Sequence, residues 1–167
     1  MKIPADIKPE KITAIIDTRE QLPLDLSPLQ IEAGTLATGD YSVKGLERYI
    51  TVERKSAMDM LGCIGGDRER FDKEVQRMLA YPVRVLVIES NWLWFESESW
   101  LLDNPRSKIT RACAVGSLLG WIADGLTILM ADDHERAGHY TARLLFTAAR
   151  RRYREIRALI ADAEEAA

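Results

Sequence analysis

The stretch "VRVLVIES" at residues 83–90 places the tightest constraint on the fold. It is almost continuously apolar and β-branched, the pattern of a central strand buried on both faces, so other elements must cover it from each side. "ITAIID" (12–17) and "LTILMA" (126–131) are further short buried strands. Residues 18–30 contain Pro23 and Pro28 among polar residues and read as a loop. The segment 31–55, "IEAGTLATGDYSVKGLERYITVERK", gives about three strands, broken at Gly39-Asp40 and near Gly45. Helices fill the intervals. "SAMDMLGCI" starts at Ser56 as N-cap and stops at Gly65-Gly66. In "DRERFDKEVQRMLAY", Phe71, Val75, Met78 and Leu79 share one helical face, and Pro82 ends the run. Residues 91–108 hold Trp92, Trp94, Trp100 and Asn104-Pro105 and read as irregular and partly exposed. A helix follows from about Ser107 to Asp124, closed by Gly125, and a long one spans 133–165 after Asp132-Asp133. Strands separated by helices, with a meander in the first half, predict an α/β three-layer sandwich with a mixed central sheet and flanking helices. A single domain over 1–167, with its core at about 12–160, follows from the length and the lack of a linker.

Composition narrows the function classes. The net charge of −3 excludes a protein that coats nucleic acid non-specifically, so any DNA contact must come from a local basic face. Cys63 and Cys113 stand far apart with no CxxC, which argues against a zinc site or a disulfide framework. No apolar run reaches membrane-span length, and "MKIPADIKPEK" lacks the apolar core of a signal peptide. The expectation is a soluble cytoplasmic protein with no membrane partner.

The chemistry concentrates in "GDYSVKGLERYITVERKSAMD", residues 39–59. In an antiparallel hairpin Asp40, at the start of one strand, lies beside Glu53, near the end of the other. Side chains at i and i+2 share a face, so Glu53 and Lys55 point together and Arg54 points away. Two carboxylates about 4 Å apart repel by roughly 4 kcal/mol at an effective dielectric near 20, which calls for a cation between them. A hard divalent ion is the natural one. Metal-dependent nucleases of the restriction-enzyme type use such an acid, gap, Glu-x-Lys constellation, in which the lysine acts on the attacking water or the transition state. Taken alone the pattern is common by chance and fits exposed, salt-bridged strand ends better than a catalytic site. Asp17 would add a third carboxylate if its strand lies next to the hairpin. Asp59, four residues beyond Lys55, is placed to hold that lysine or Arg54.

Five segments in order resolve that ambiguity: "IIDTRE" (15–20), "GDY" (39–41), "VERKSAMD" (52–59), "RFDKEVQRM" (70–78) and "VLVIES" (85–90). Together they resemble the nuclease domain of the XPF-type structure-specific endonucleases, whose hallmark is GD, a gap, then ERK-x-x-x-D. Gly39-Asp40, Glu53-Arg54-Lys55 and Asp59 match every position of it. The resemblance covers roughly residues 12–160 and implies a restriction-endonuclease-like fold. It implies that Asp40 and Glu53 bind Mg²⁺ or Mn²⁺, that the Arg54 carbonyl lies near the metal, and that Lys55 acts on the nucleophile. Asp17 would join or support the metal cluster, with Arg19 and Glu20 of "D-x-R-E" flanking the site. Arg70 and Arg77 would face the DNA. The catalytic set is then Asp17, Glu20, Asp40, Glu53, Arg54, Lys55 and Asp59, and the metal set Asp17, Asp40 and Glu53. Glu74 departs from the glutamine many relatives carry there. No helix-hairpin-helix or helicase segment is found in the sequence, so junction preference would come from the nuclease domain or a separate helicase or DNA-binding partner.

The remaining candidates have bland alternatives. His134 and His139 are five apart, which suits no paired ligation on a helix. The tryptophans fit core packing or a subunit contact better than base stacking. "ARRRYREIR" clusters Arg151 and Arg152 with their neighbours, as a DNA-backbone patch or a solvated helix face. XPF-type nuclease domains usually pair through C-terminal helices, so the resemblance points to a homodimer. An apolar stripe through Leu144, Leu145, Ile156 and Leu159, and another through Leu118, Leu119, Trp121 and Ile122, support it. The sequence therefore predicts a metal-dependent endonuclease acting on branched or single-strand/double-strand junction DNA; the alternative is a non-catalytic DNA-binding or scaffolding subunit.

Overall fold

In the computed structural model, which describes residues 4–165, a sheet of six strands carries the molecule. The strands are β1 (Thr13–Asp17), β2 (Gln30–Gly34), β3 (Tyr41–Val43), β4 (Ile50–Ser56), β5 (Val83–Glu89) and β6 (Thr127–Met130), in the order β2-β1-β3-β4-β5-β6. Strand β3 is antiparallel to both neighbours, and the other pairs are parallel. The carboxyl ends of β1, β4, β5 and β6 therefore gather at one end of the sheet, together with the start of β3. Open α/β sheets place their sites at that end.

The apolar strands are sandwiched as their sequence requires. Val85 and Val87 pack with Ile50, Val52 and Leu145 on one face, while Leu86 and Ile88 pack with Met60, Phe71 and Leu118 on the other. One helix, α5 (His134–Glu165), covers the first face, and α1 (Ala57–Ile64), α2 (Arg68–Met78), α3 (Trp92–Glu96) and α4 (Arg111–Ala123) cover the second. This is the expected three-layer sandwich with a mixed sheet. Ser56 caps α1 by accepting the Asp59 N–H, and Asp133 caps α5 by accepting the Arg136 N–H. Helix α5 approaches the loop before β2 so closely that a Cβ on Gly138 would stand 2.6 Å from the Asp25 carbonyl oxygen.

Two expectations need correction. The segment 91–108 is not simply irregular: Asn91 accepts the Trp94 N–H and starts α3, and Ser99–Leu101 form a 3-10 turn. Trp100 is fully buried against Trp94, in keeping with the core packing expected of the tryptophans. Helix α4 begins at Arg111 rather than near Ser107, since Thr110 is the residue whose hydroxyl caps it. Among the described residues no helix is long and apolar enough to cross a membrane.

Candidate active site

The site begins with a backbone conformation. Gly39 has φ +80°, and a Cβ there would lie 2.3 Å from Thr51 Oγ1 and 2.9 Å from the Val52 carbonyl oxygen. Only glycine lets the chain turn in this closely. The next residue, Asp40, donates its N–H to Val52 O at 2.8 Å and accepts the Arg54 N–H on Oδ2 at 2.8 Å. Asp40 is thus bonded to the residues on both sides of Glu53, and the two acids are neighbours across the hairpin as predicted. Glu53 is 3% exposed, and Lys55 donates its ammonium to Glu53 Oε1. The ammonium also lies 5.6 Å from the Phe71 ring centre on α2, so Glu53 and Lys55 share the face beneath α1 and α2.

Burial and mutual repulsion set the electrostatics. Burial raises the Glu53 pKa, the Asp40 charge raises it further, and Lys55 offsets only part of this. Burial likewise raises Asp40, against the opposing Arg54 N–H and Lys55 charge. Lys55 is pulled down by burial but ends above its ordinary value, because Glu53 favours the ammonium. A buried carboxylate and a half-buried one facing one ammonium form an oxygen-donor set still short of positive charge, which fits a hard divalent cation. Among the described residues no group of three or more His, Cys, Asp or Glu could hold a metal ion. The pair alone suits Mg²⁺, which typically takes one or two carboxylates and fills its shell with water and substrate phosphate.

Asp17 stands beside the pair by its backbone, donating its N–H to Asp40 O at 2.8 Å. Its carboxylate is otherwise engaged. Oδ1 accepts Arg19 Nε at 2.6 Å and the Arg19 N–H at 2.9 Å, and Oδ2 accepts Arg19 Nη2 at 3.1 Å and the Leu36 N–H at 2.7 Å. The Arg19 side chain, with these further N–H groups, pushes the Asp17 pKa down to about 2. In place of the expected third metal ligand, the structure has a saturated carboxylate that braces the end of β1. Asp59 departs from expectation too. It accepts the Ser56 hydroxyl at 2.7 Å and lines the cleft, whereas Lys55 is held by Glu53 and Arg54 by other acids.

The Arg54 side chain turns to the α5 face. Its Nε and Nη2 donate to Glu20 at 3.1 Å each, and Nη1 donates to Glu89 at 2.9 Å. His134 Nδ1 lies 2.7 Å from the same Glu89 oxygen, and the Tyr41 hydroxyl donates to Glu20 at 3.3 Å. Burial works against the Arg54 charge, yet the two acids more than offset it and its pKa rises. Burial raises Glu20 as well, but Arg54 prevails and the net shift is downward. Glu89 and His134 are the residues that sequence reasoning missed. Glu89 lies in the segment "VLVIES" but takes no role from it, and His134 stands at a spacing from His139 that suits no paired ligation.

The cleft over the acids is polar, and Arg19, Glu20, Asp40, Arg54, Lys55 and Arg70 are among the residues that line it. Arg70 is exposed there and pairs with Asp67 at 3.3 Å. Arg77 lies on the exposed side of α2 and does not line the cleft. Arg152 pairs with Glu155 at 3.0 Å and stacks over Tyr49, at the end of the hairpin opposite Glu53. Arg151 is exposed on the adjoining turn of α5, and Arg150 and Arg154 pair with Asp6. The expected backbone patch at Arg151 and Arg152 therefore does not adjoin the cleft: the last turns of α5 run toward the far end of the sheet.

Residues 16–144 match the ERCC4 domain. The fold is similar to that of XPF from Aeropyrum pernix, with a TM-score of 0.63 and 18% identity over 80% of this chain and 59% of that one. It is also similar to XPF from Aeropyrum pernix in complex with DNA, with a TM-score of 0.62 and 17% identity over 83% of this chain and 65% of that one. The chain thus spans about three fifths of the solved chains it matches. No curated protein sequence matches it.

Proposed function

The chain belongs to the ERCC4 domain family, and from that premise we propose that it is a divalent-metal-dependent DNA endonuclease that hydrolyses phosphodiester bonds near branch points or single-strand/double-strand junctions. The observation that carries this reading is the pairing of Asp40, half-buried in a polar cleft edged by exposed arginines, with buried Glu53, to which Lys55 donates. The family's association with DNA cleavage, and the fold shared with an XPF chain bound to DNA, support it.

Asp40 and Glu53 would hold Mg²⁺ or Mn²⁺, which supplies charge neutralisation at the scissile phosphate. Arg54 contributes through its backbone, whose N–H orients the Asp40 carboxylate. Lys55, whose ammonium donates to Glu53, would orient the attacking water or donate to the phosphoryl oxygens on which negative charge builds up. Arg19 and Arg70, both at the cleft, would take adjacent backbone phosphates. The proposal includes a homodimer, which would cover apolar side chains that one copy leaves exposed: Leu119 at 53% and Ile122 at 39% on α4, and Leu159 at 67% on α5. It also includes a separate helicase or DNA-binding partner that supplies part of the junction preference.

Incubation with flap, splayed-arm and linear duplex DNA, each with Mg²⁺, Mn²⁺ or EDTA, tests the reading. Metal-dependent cuts near the junction are expected. Tight binding without cleavage would make the chain a DNA-binding subunit, and neither binding nor cleavage would end the nuclease reading.

A further inference from the structure

From the edge of the cleft, where Glu20 and Arg54 line it, an ionic network runs back on the α5 face of β4 to Glu89 and His134, two residues the proposed hydrolysis does not use directly. Arg54 is 12% exposed in its side chain, and its partners Glu20 and Glu89 are 5% and 11% exposed. Three separate parts of the chain meet on this guanidinium. Glu20 follows β1, Glu89 ends β5, and His134 begins α5 and closes on Glu89. The guanidinium fork is planar and rigid, so acids gripping it from two sides fix its orientation more firmly than a single pair would.

Fixing that side chain has an effect through the backbone. In the β4–β5 register Arg54 pairs with Val87 and Ser56 with Glu89, so the clamp sits one alternation beyond Arg54 on the same face. The Arg54 N–H points the other way along its strand's edge, to Asp40 Oδ2. A twist of the strand at Arg54 would therefore turn this donor away from the acid and tilt Glu53 and Lys55, which flank it.

We propose that Glu89 and His134 are positioning residues: through the Arg54 side chain they hold its backbone N–H on Asp40 and so keep the carboxylate pair in register. The role rests on the nuclease reading for its purpose, but the geometry it concerns can be measured without cleavage. Partners that orient metal-binding groups from behind typically change metal affinity or activity by about 10–100-fold when removed.

The experiment follows hydrogen exchange of the Arg54 amide by NMR, with the Val87 amide on the paired strand as internal reference, and Mn²⁺ affinity by calorimetry. Glu89→Ala should speed exchange at Arg54 by about tenfold or more relative to Val87, and weaken Mn²⁺ binding on the scale of about tenfold. His134→Ala should shift both in the same direction by less, and Glu89→Gln, which keeps an acceptor for Arg54, should recover part of the loss. Where Glu89→Ala fails to fold, His134→Ala and Glu89→Gln carry the same comparison. A purely architectural role would speed exchange at Arg54 and Val87 together and leave the Mn²⁺ affinity of the folded protein unchanged. That result would overturn the proposal, as would unchanged exchange at Arg54. A wild-type protein that neither binds Mn²⁺ nor cuts DNA would instead remove the nuclease reading, while the amide comparison still decides whether the clamp acts on Asp40.

Discussion

The backbone N–H of Arg54 donates to Asp40 Oδ2 at 2.8 Å, so the strand that carries Glu53 also orients the acid that faces it. The two carboxylates are coupled through one peptide group. Changes at either should therefore be felt at both.

Asp40→Asn should lower cleavage by at least about 10²-fold, the scale on which loss of transition-state charge stabilisation acts. An Asn oxygen can still accept the Arg54 N–H, and removing a charge that burial opposes should leave the metal-free fold at least as stable. Thermal melts with and without Mn²⁺ check this: the ion should raise the wild-type melting temperature and leave that of the variant in place.

Lys55→Ala should lose about 10²–10⁴-fold in rate while still binding Mn²⁺. Calorimetric titration alongside single-turnover cleavage separates the two. A variant that had lost the ion would show that the lysine shapes the metal site itself.

Asp17 has an ordinary pKa of 3.8 that Arg19 and the Leu36 N–H lower to about 2 in the folded protein. A depressed carboxyl contributes stability that is full above its unfolded value and is lost as pH falls through the folded one. Since Arg19 is largely exposed and screened, the contribution is about 1 kcal/mol. Urea denaturation between pH 5 and pH 2 should show wild type losing that increment, and Asp17→Asn should start lower and lack this component of the slope.

Gly39→Ala should destabilise by about 2 kcal/mol or more, since it combines a positive φ with close approach to Thr51 and the Val52 carbonyl. Cleavage should fall further than stability accounts for, because Asp40 is the next residue. A folded Gly39→Ala with wild-type activity would break the link between that turn and the acid.

Light scattering at micromolar concentration should give the mass of two chains. A mass of one chain, unchanged on dilution or with added DNA, would end the dimer proposal.

Much of this arrangement was legible in the sequence because it rests on local alternation. The strand β5 had to be covered on both faces, and the parity of Glu53, Arg54 and Lys55 placed two of them together and one opposite, as found. Asp59 was misread because its spacing suits both an ion pair with Lys55 and a cap with Ser56, and the local cap prevailed. Glu89 and His134 were hidden because their meeting depends on the register of parallel strands and on where α5 begins, both products of tertiary packing. The same limit applied to Arg151 and Arg152. Nothing in a helix's own residues tells which end of the sheet its last turns will reach.

The reversed direction of β3 also separates the hairpin's acids from its tip. The tip around Glu47 and Arg48 is exposed, and Gly45, at φ +83°, makes its turn with open space beside it. Lengthening a flexible loop there would cost only about 0.6 kcal/mol per doubling, and the strands on either side would still deliver Asp40 to Glu53. The hairpin thus has one end where a single methyl group is excluded and another where a whole recognition module could be spliced in. New substrate preferences could be added to this scaffold at the tip while the chemistry at the other end stays as it is.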